Sequence, residues 1–358
     1  MPPARSAIDA ISPAFVRTKR LLFDPFRLGV WARYGIIALS TGELAGGSGA
    51  ANASFNPDGR GPGDKLLSVP NIPWERVQEF LPWIVGGVLV LVALGLLALY
   101  IASVFRFILF DAVLADRYHL RAGWERWQEQ GANYFLWQLG FFSTVLAALA
   151  LLIGGPLYLA WREGLFRQPD QHVAVLVLGA IGLVFLGLGV ILAAALIAVL
   201  AKDFIVPLMA LENLGVLAAW RRLLSLLAAE KAAYAGYILM KIVLAMGSAI
   251  LFGIINVFIV LGVLVVLGVA GVALVFGGKA AGLVWDFYTV AAVVLLGALA
   301  LTALLYTISF VSSPALVFFQ AYALHFLAGR YPLLADRLET SLPPPVSPAP
   351  PAVTPATT

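Results

Sequence analysis

Residues 233–277 read AYAGYILMKIVLAMGSAILFGIINVFIVLGVLVVLGVAGVALVFG, and only Lys241, Ser248 and Asn256 interrupt the apolar run. About 20 apolar residues suffice to cross a hydrocarbon core about 30 Å thick. At about 1.5 Å per residue, one straight helix here would measure about 67 Å, twice that thickness. The stretch reads as one long span with a broken or re-entrant piece, or as a hairpin turning near Gly253 to Asn256. A single crossing fits the rest of the chain better, for reasons of topology given below.

Working outward, apolar runs recur near 82–108, 134–160, 172–200 and 284–312. The stretch RLGVWARYGIIALSTGELAGG, broken by Arg33 and Glu43, makes a weak first span. The 358-residue chain is 61% hydrophobic and only 12% charged, against about 25% charged in soluble domains. The fold class is therefore an all-α integral membrane protein with about six transmembrane helices, seven if the long run folds back. A β-barrel is excluded, since its strands alternate in short segments. The chain has no cysteine, which removes disulfides, thiolate chemistry and Cys-based metal sites. Its net charge of +4 suits a positive cytoplasmic face better than nucleic-acid binding.

Three regions follow. Residues 1–27 contain SPAFVRTKRLLFDPF, in which Ser12-Pro13 and Asp24-Pro25 look like helix starts. Arg17, Lys19 and Arg20 alternate there with Phe15, Leu21 and Leu22, a basic amphipathic segment suited to an anionic leaflet. No cleavable signal peptide is expected, the first span serving as its own insertion signal. Residues 28–340 form the membrane domain, with an extracytoplasmic loop at 46–81 rich in Gly, Asn and Pro and bearing an Asn52 sequon. The Pro-rich tail 341–358 cannot build a core. Arg106, Arg117, Arg121 and Arg126 gather in one loop, and Lys202, Arg221, Arg222 and Lys231 in another. The positive-inside rule places both, and the N-terminus, in the cytoplasm of a prokaryotic inner membrane.

A motif repeats. RFILFDAVLADRYHLRAGWERW (106–127) matches DFIVPLMALENLGVLAAWRRLL (203–224) through Phe107-Ile108-Leu109 and Phe204-Ile205-Val206, and through Trp124 and Trp220. SFVSSPALVFFQAYALHFLAGR (309–330) resembles a third copy, with Pro314 in place of Pro207. In the second copy Val216, Trp220, Leu223, Leu224 and Leu227 share one helical face and Arg221, Arg222 and Ser225 another. Such helices are expected as interfacial elbows, with the Trp residues at headgroup level and Pro207 and Pro314 breaking the spans. If the third elbow is cytoplasmic, the last span runs inward, which favours six crossings.

The segments SPAFVRTKRLLFDPFRLGVW, DFIVPLMALENLGVLAAWRRLLSLL and PALVFFQAYALHFLAG carry a resemblance. They are similar to an uncharacterised family of prokaryotic polytopic membrane proteins, itself loosely akin to the membrane domain of bacterial glycerophosphodiester phosphodiesterases. The resemblance implies the fold. The phosphodiesterase activity resides in a separate soluble domain with no counterpart here, so no activity is implied.

Candidate residues are few. His119 and His325 lie in elbows after Tyr118 and Tyr322 and are weak candidates to ligate a haem or metal, although lone interfacial histidines are commoner. No cofactor and no metal is expected. Lys241 is the basic residue well inside a span. It can snorkel, pair with Glu212 or Asp203, or contact substrate or lipid. Asp111, Asp203 and Glu212 follow spans; pairing with Arg106 or Lys202 is the plain expectation and a proton or cation relay the sharper one. Arg221, Arg222 and Arg106 join Lys241, Glu212 and Asp203 as possible lipid or substrate contacts. The runs 187–201 and 262–278, rich in small residues, suit close helix packing within the chain. With no Walker A, HExxH or GxSxG motif, the chain is expected not to be an enzyme. It is expected to act as a scaffold, assembly factor or accessory subunit, with lipids and other membrane subunits or further copies as partners. The alternative is a transporter or lipid-handling protein with a polar site around Lys241.

Overall fold

A computed structural model describes residues 6–42, 74–117, 119–166, 171–280, 282 and 287–340. The segment 46–73 with its Asn52 sequon, Tyr118 and the tail 341–358 lie outside the described residues. The helices are α1 (Ile11–Leu22), α2 (Leu28–Thr41), α3 (Trp74–Ala115), α4 (Leu120–Arg162), α5 (Val173–Leu200), α6 (Val206–Glu212), α7 (Val216–Ala229), α8 (Lys231–Ala280), α9 (Phe287–Ala328) and α10 (Pro332–Thr340). A π turn, Ala201–Ile205, joins α5 to α6 without a break. Among the described residues, five helical units are long and apolar enough to cross a membrane: α3, α4, α5 through α6, α8 and α9. The fold is all-α and its build is that of a multi-pass membrane protein.

Several expectations change. The weak first span is the 14-residue α2, which at about 1.5 Å per residue rises about 21 Å, short of a bilayer core. It ends at Gly42, whose left-handed φ of 69° stops the helix. The long run 233–277 has no hairpin and no break; it lies within the 50-residue α8. α3 starts at Trp74, inside the stretch assigned to a loop. Asp24-Pro25 does not start a helix either. Phe23 and Phe26 bridge across it, and α2 begins after Arg27.

The buried residues gather at one end of the helices. Here α1, α2, the last turns of α3 and α9, the first turns of α4 and α8, the π turn and α6 share one core. Phe204, Tyr234, Tyr237, Tyr322 and Phe326 form its aromatic centre, with ring centroids 4.6–6.0 Å apart. Two glycines allow the closest helix approaches. A Cβ on Gly131 of α4 would lie 2.9 Å from Val104 Cα of α3, and one on Gly35 of α2 would lie 3.2 Å from Phe310 Cα of α9. α1, expected to rest on lipid, turns Ala14, Arg17, Thr18 and Leu22 into this core. Its outer face still presents Phe15 and Val16 beside Lys19 and Arg20.

Arg17 shows why α1 docks there. It is only 7% exposed, and its Nε and Nη2 donate to the carbonyls of Val113 (2.7 Å) and Leu114 (2.6 Å). Those carbonyls end α3, where no further turn supplies N–H partners and a cation meets the negative end of the helix dipole. Burial, then Arg20, lowers the Arg17 pKa from its ordinary value, while Tyr34 and Asp116 oppose the shift.

Beyond this end the helices are bare. Leu264, Val265 and Val266 of α8 are all exposed, although successive residues point about 100° apart. Cβ atoms built on Gly262, Gly268 and Gly271 would meet nothing within 4 Å among the described residues. Among the described residues, the glycines of the small-residue run 262–278 thus meet no packing neighbour, contrary to the sequence expectation.

Candidate functional site: the polar knot at the closed end

The knot begins with Pro207. A proline has no N–H for the carbonyl four residues back and crowds it sterically. The ladder answers by widening, and the Val206 N–H bonds to Ala201 O, five residues away. Such π turns recur at functional sites. This one carries Asp203 inward, where it is 2% exposed. Pro207 therefore does not break the span, as the elbow reading required; the helix runs on to Glu212 and turns at Asn213 (φ 52°). Asp116 (φ 56°) turns the chain at the matching place in the first copy. The third copy has no such turn, because α9 continues through Pro314 to Ala328.

Of the two acids set beside Lys241 by the sequence, the structure gives it Asp203. Lys241 Nζ donates to Asp203 Oδ2, and Tyr237 Oη donates to the same oxygen at 2.9 Å. Lys241 is 9% exposed. Tyr237 stacks on Tyr322 at 5.0 Å and 10°, and Tyr322 Oη donates to Ala7 O at 3.1 Å. One buried network thus ties α5, α8, α9 and the N-terminal segment together. A membrane-embedded pair of this kind is costly unless every partner is in place.

Other candidates go elsewhere. Glu212 accepts from Tyr331 Oη and lies 3.8 Å from Arg222. Arg221 is exposed on α7. Asp111 pairs with Arg126 (3.4 Å) and Arg117 (4.0 Å), not with Arg106. Arg106 donates to Tyr134 Oη at 3.1 Å. His119 is exposed just before α4 and His325 half-buried in α9. Among the described residues no group of three or more His, Asp or Glu side chains is placed to hold a metal ion. Two polar cavities open at this end. One, of 360 Å³, is lined by Arg17, Arg20, Asp24 and Asp116; the other, of 650 Å³, by Asp111, Arg117, Arg126 and Arg337. Lys241 lines neither.

The tryptophans also turn inward. Trp127 stacks on Phe107 at 5.8 Å, Trp124 meets Tyr100 at 5.8 Å, and Trp220 meets Trp137 at 5.7 Å. In α7, Val216, Ala219 and Leu223 are the buried positions. The first elbow is not a separate helix, since α4 runs unbroken from Leu120 to Arg162. Sequence reasoning missed Arg17 and Tyr331. Arg17 was visible as the middle of a basic segment, but nothing local distinguishes a buried arginine from a lipid-facing one.

Fold and knot together define a multi-pass, all-α membrane protein with one closed, polar-knotted end and bare outer helices. The chain belongs to a family of unknown function, DUF7544, whose model matches residues 5–337. No curated protein and no solved structure matches it.

Proposed function

We propose that this protein is a non-catalytic scaffold, assembly factor or accessory subunit of a larger membrane complex. The observation that supports it is the bare outer half of α8. Its glycine-rich face is open among the described residues, while small-residue faces are what membrane helices use to approach one another. The arginine-rich closed end faces the cytoplasm of a prokaryotic inner membrane in this reading, with the N-terminus on that side.

The absence of cysteine makes the test direct. A single cysteine at Val269 carries a photo-crosslinker in the native membrane. The expected product is a stoichiometric adduct to one membrane protein or to a second copy. Adducts to lipid alone would refute the proposal. The alternative, a transporter or lipid-handling protein working through Lys241, has less support, because Asp203 already engages that lysine inside the core.

A further inference from the structure

Of the two polar cavities at the closed end, the larger carries an unbalanced charge. The smaller sets Arg20 and Arg27 against Asp24 and Asp116, and its third arginine, Arg17, already donates to the α3 carbonyls. The larger, of 650 Å³, sets Arg117, Arg126 and Arg337 against Asp111, the single acid in its lining among the described residues. Three cations facing one anion leave two positive charges over. Nearby acids do not remove them from the lining. Glu125 pairs with Arg121 at 3.4 Å and Glu212 with Arg222 at 3.8 Å, and Glu129 and Asp336 lie outside the lining.

Four segments build the site. The last turns of α3 supply Asp111, and the left-handed turn at Asp116 returns Arg117 to within 4.0 Å of it. The first turns of α4 bring Arg126, and α10 brings Arg337. Asp111 is 8% exposed. Each of its oxygens holds one guanidinium, Oδ1 that of Arg117 and Oδ2 that of Arg126 at 3.4 Å. Arg126 also lies 5.5 Å from the Trp127 ring. A guanidinium has five N–H donors in a fixed fork, so one contact to Asp111 orients each arginine and leaves most of its donors for a ligand. Arg337 is exposed and makes no hydrogen bond or ion pair among the described residues. Its helix is anchored in the core by Leu334, Ala335 and Leu338, which holds Arg337 at the rim.

Charge and size narrow the ligand. Two positive charges match a phosphate monoester, which carries about −1.5 to −2 at pH 7, or a headgroup with two phosphodiesters. Arginine forks fit phosphate oxygens in pairs. The volume lies within the roughly 300–1,000 Å³ of small-molecule sites, and Phe110, Leu114 and Trp127 add apolar wall for whatever carries the phosphate. Basic pockets between helices at a membrane face are where phosphate headgroups bind.

We propose that this cavity binds one doubly charged phosphate ligand, gripped by Arg117, Arg126 and Arg337. The phosphate belongs either to a lipid headgroup or to a soluble ester, and the chemistry of the grip is the same. The site is separate from the Asp203–Lys241 knot and stands whether or not α8 meets a partner.

The test titrates the delipidated full chain with cardiolipin and with phosphatidylcholine of the same acyl chains, read by native mass spectrometry, and with radiolabelled inorganic phosphate, read by equilibrium dialysis. One cardiolipin per chain, kept against millimolar phosphate where phosphatidylcholine does not bind, assigns the site to a lipid headgroup. Saturable binding of one phosphate, with cardiolipin no better than phosphatidylcholine, assigns it to a soluble ester. In either case Arg117→Gln and Arg337→Gln should each weaken binding about fivefold, which corresponds to about 1 kcal/mol per interfacial cation. Arg221→Gln, on the exposed face of α7, should change nothing. Arg337→Gln removes no ion pair, so its effect reports the ligand and not the fold. Cardiolipin bound no better than phosphatidylcholine, together with no saturable phosphate binding, overturns the proposal without any variant. So does binding that both glutamine variants leave intact, or that Arg221→Gln weakens equally.

Discussion

Lys241→Met removes the cation from a carboxylate that is 2% exposed. Asp203 then keeps only the Tyr237 hydroxyl, at 2.9 Å, of the two donors described here. Breaking a buried pair from one side costs about 3–5 kcal/mol, because the surviving charge stays desolvated. That is a large share of the roughly 5–15 kcal/mol that holds a domain together. Asp203→Asn should cost less, since the lysine stem is long enough to carry its ammonium toward the headgroups. Replacing both partners, Asp203→Leu with Lys241→Met, removes the desolvated charges and should recover most of the loss, ending within about 2 kcal/mol of wild type. Reversible unfolding in mixed micelles, followed by tryptophan fluorescence, measures all three. Single variants that cost under about 1 kcal/mol would refute the reasoning. So would a double variant no more stable than Lys241→Met alone, since removing the surviving buried charge must recover part of the loss.

Two further outcomes follow from the packing. Arg17→Met leaves the carbonyls of Val113 and Leu114 without their charged donor and should cost about 2–4 kcal/mol. Limited proteolysis should then cut within α1, and an unchanged digestion pattern would count against the docking described. Gly131→Ala puts a Cβ 2.6 Å from Val104 Cγ2 and 2.9 Å from its Cα. It should destabilise the α3–α4 contact by about 1–3 kcal/mol. Gly268→Ala meets nothing within 4 Å and should be neutral or slightly stabilising in the purified chain, through helix propensity alone.

The elbows show how far the repeat could be read. Matching Phe107-Ile108-Leu109 to Phe204-Ile205-Val206 located two places where the chain turns, and both turn on a left-handed residue, Asp116 and Asn213. Asn and Asp tolerate that conformation better than most residues, so the signal was in the sequence. Pro314 misled because a proline in an apolar helix removes one donor without ending the helix; in lipid the remaining backbone must stay bonded internally. α2 misled because its apolar character suits a protein core as well as a membrane. Its Tyr34 Oη donates to Ala112 O at 3.2 Å, a contact that no local pattern announces.

The sequence by itself determined the solvent. Long apolar runs with few charges leave the backbone no option but helices, and the five long runs each lie within a helix long enough to span; the expected sixth span is the short α2, and α3 begins at Trp74, inside the expected loop. The direction of each amphipathic face was decided only by the tertiary structure. Lipid and protein core are both apolar, so Trp124, Trp127 and Ala14 gain by burial in either. The choice rests on complementary shape, such as the gap at Gly131 that receives Val104. The partner of Lys241 was undecided for the same reason. Asp203 and Glu212 are both acids near the span end, and it is the extra residue of the π turn before Pro207 that rotates one of them into the core.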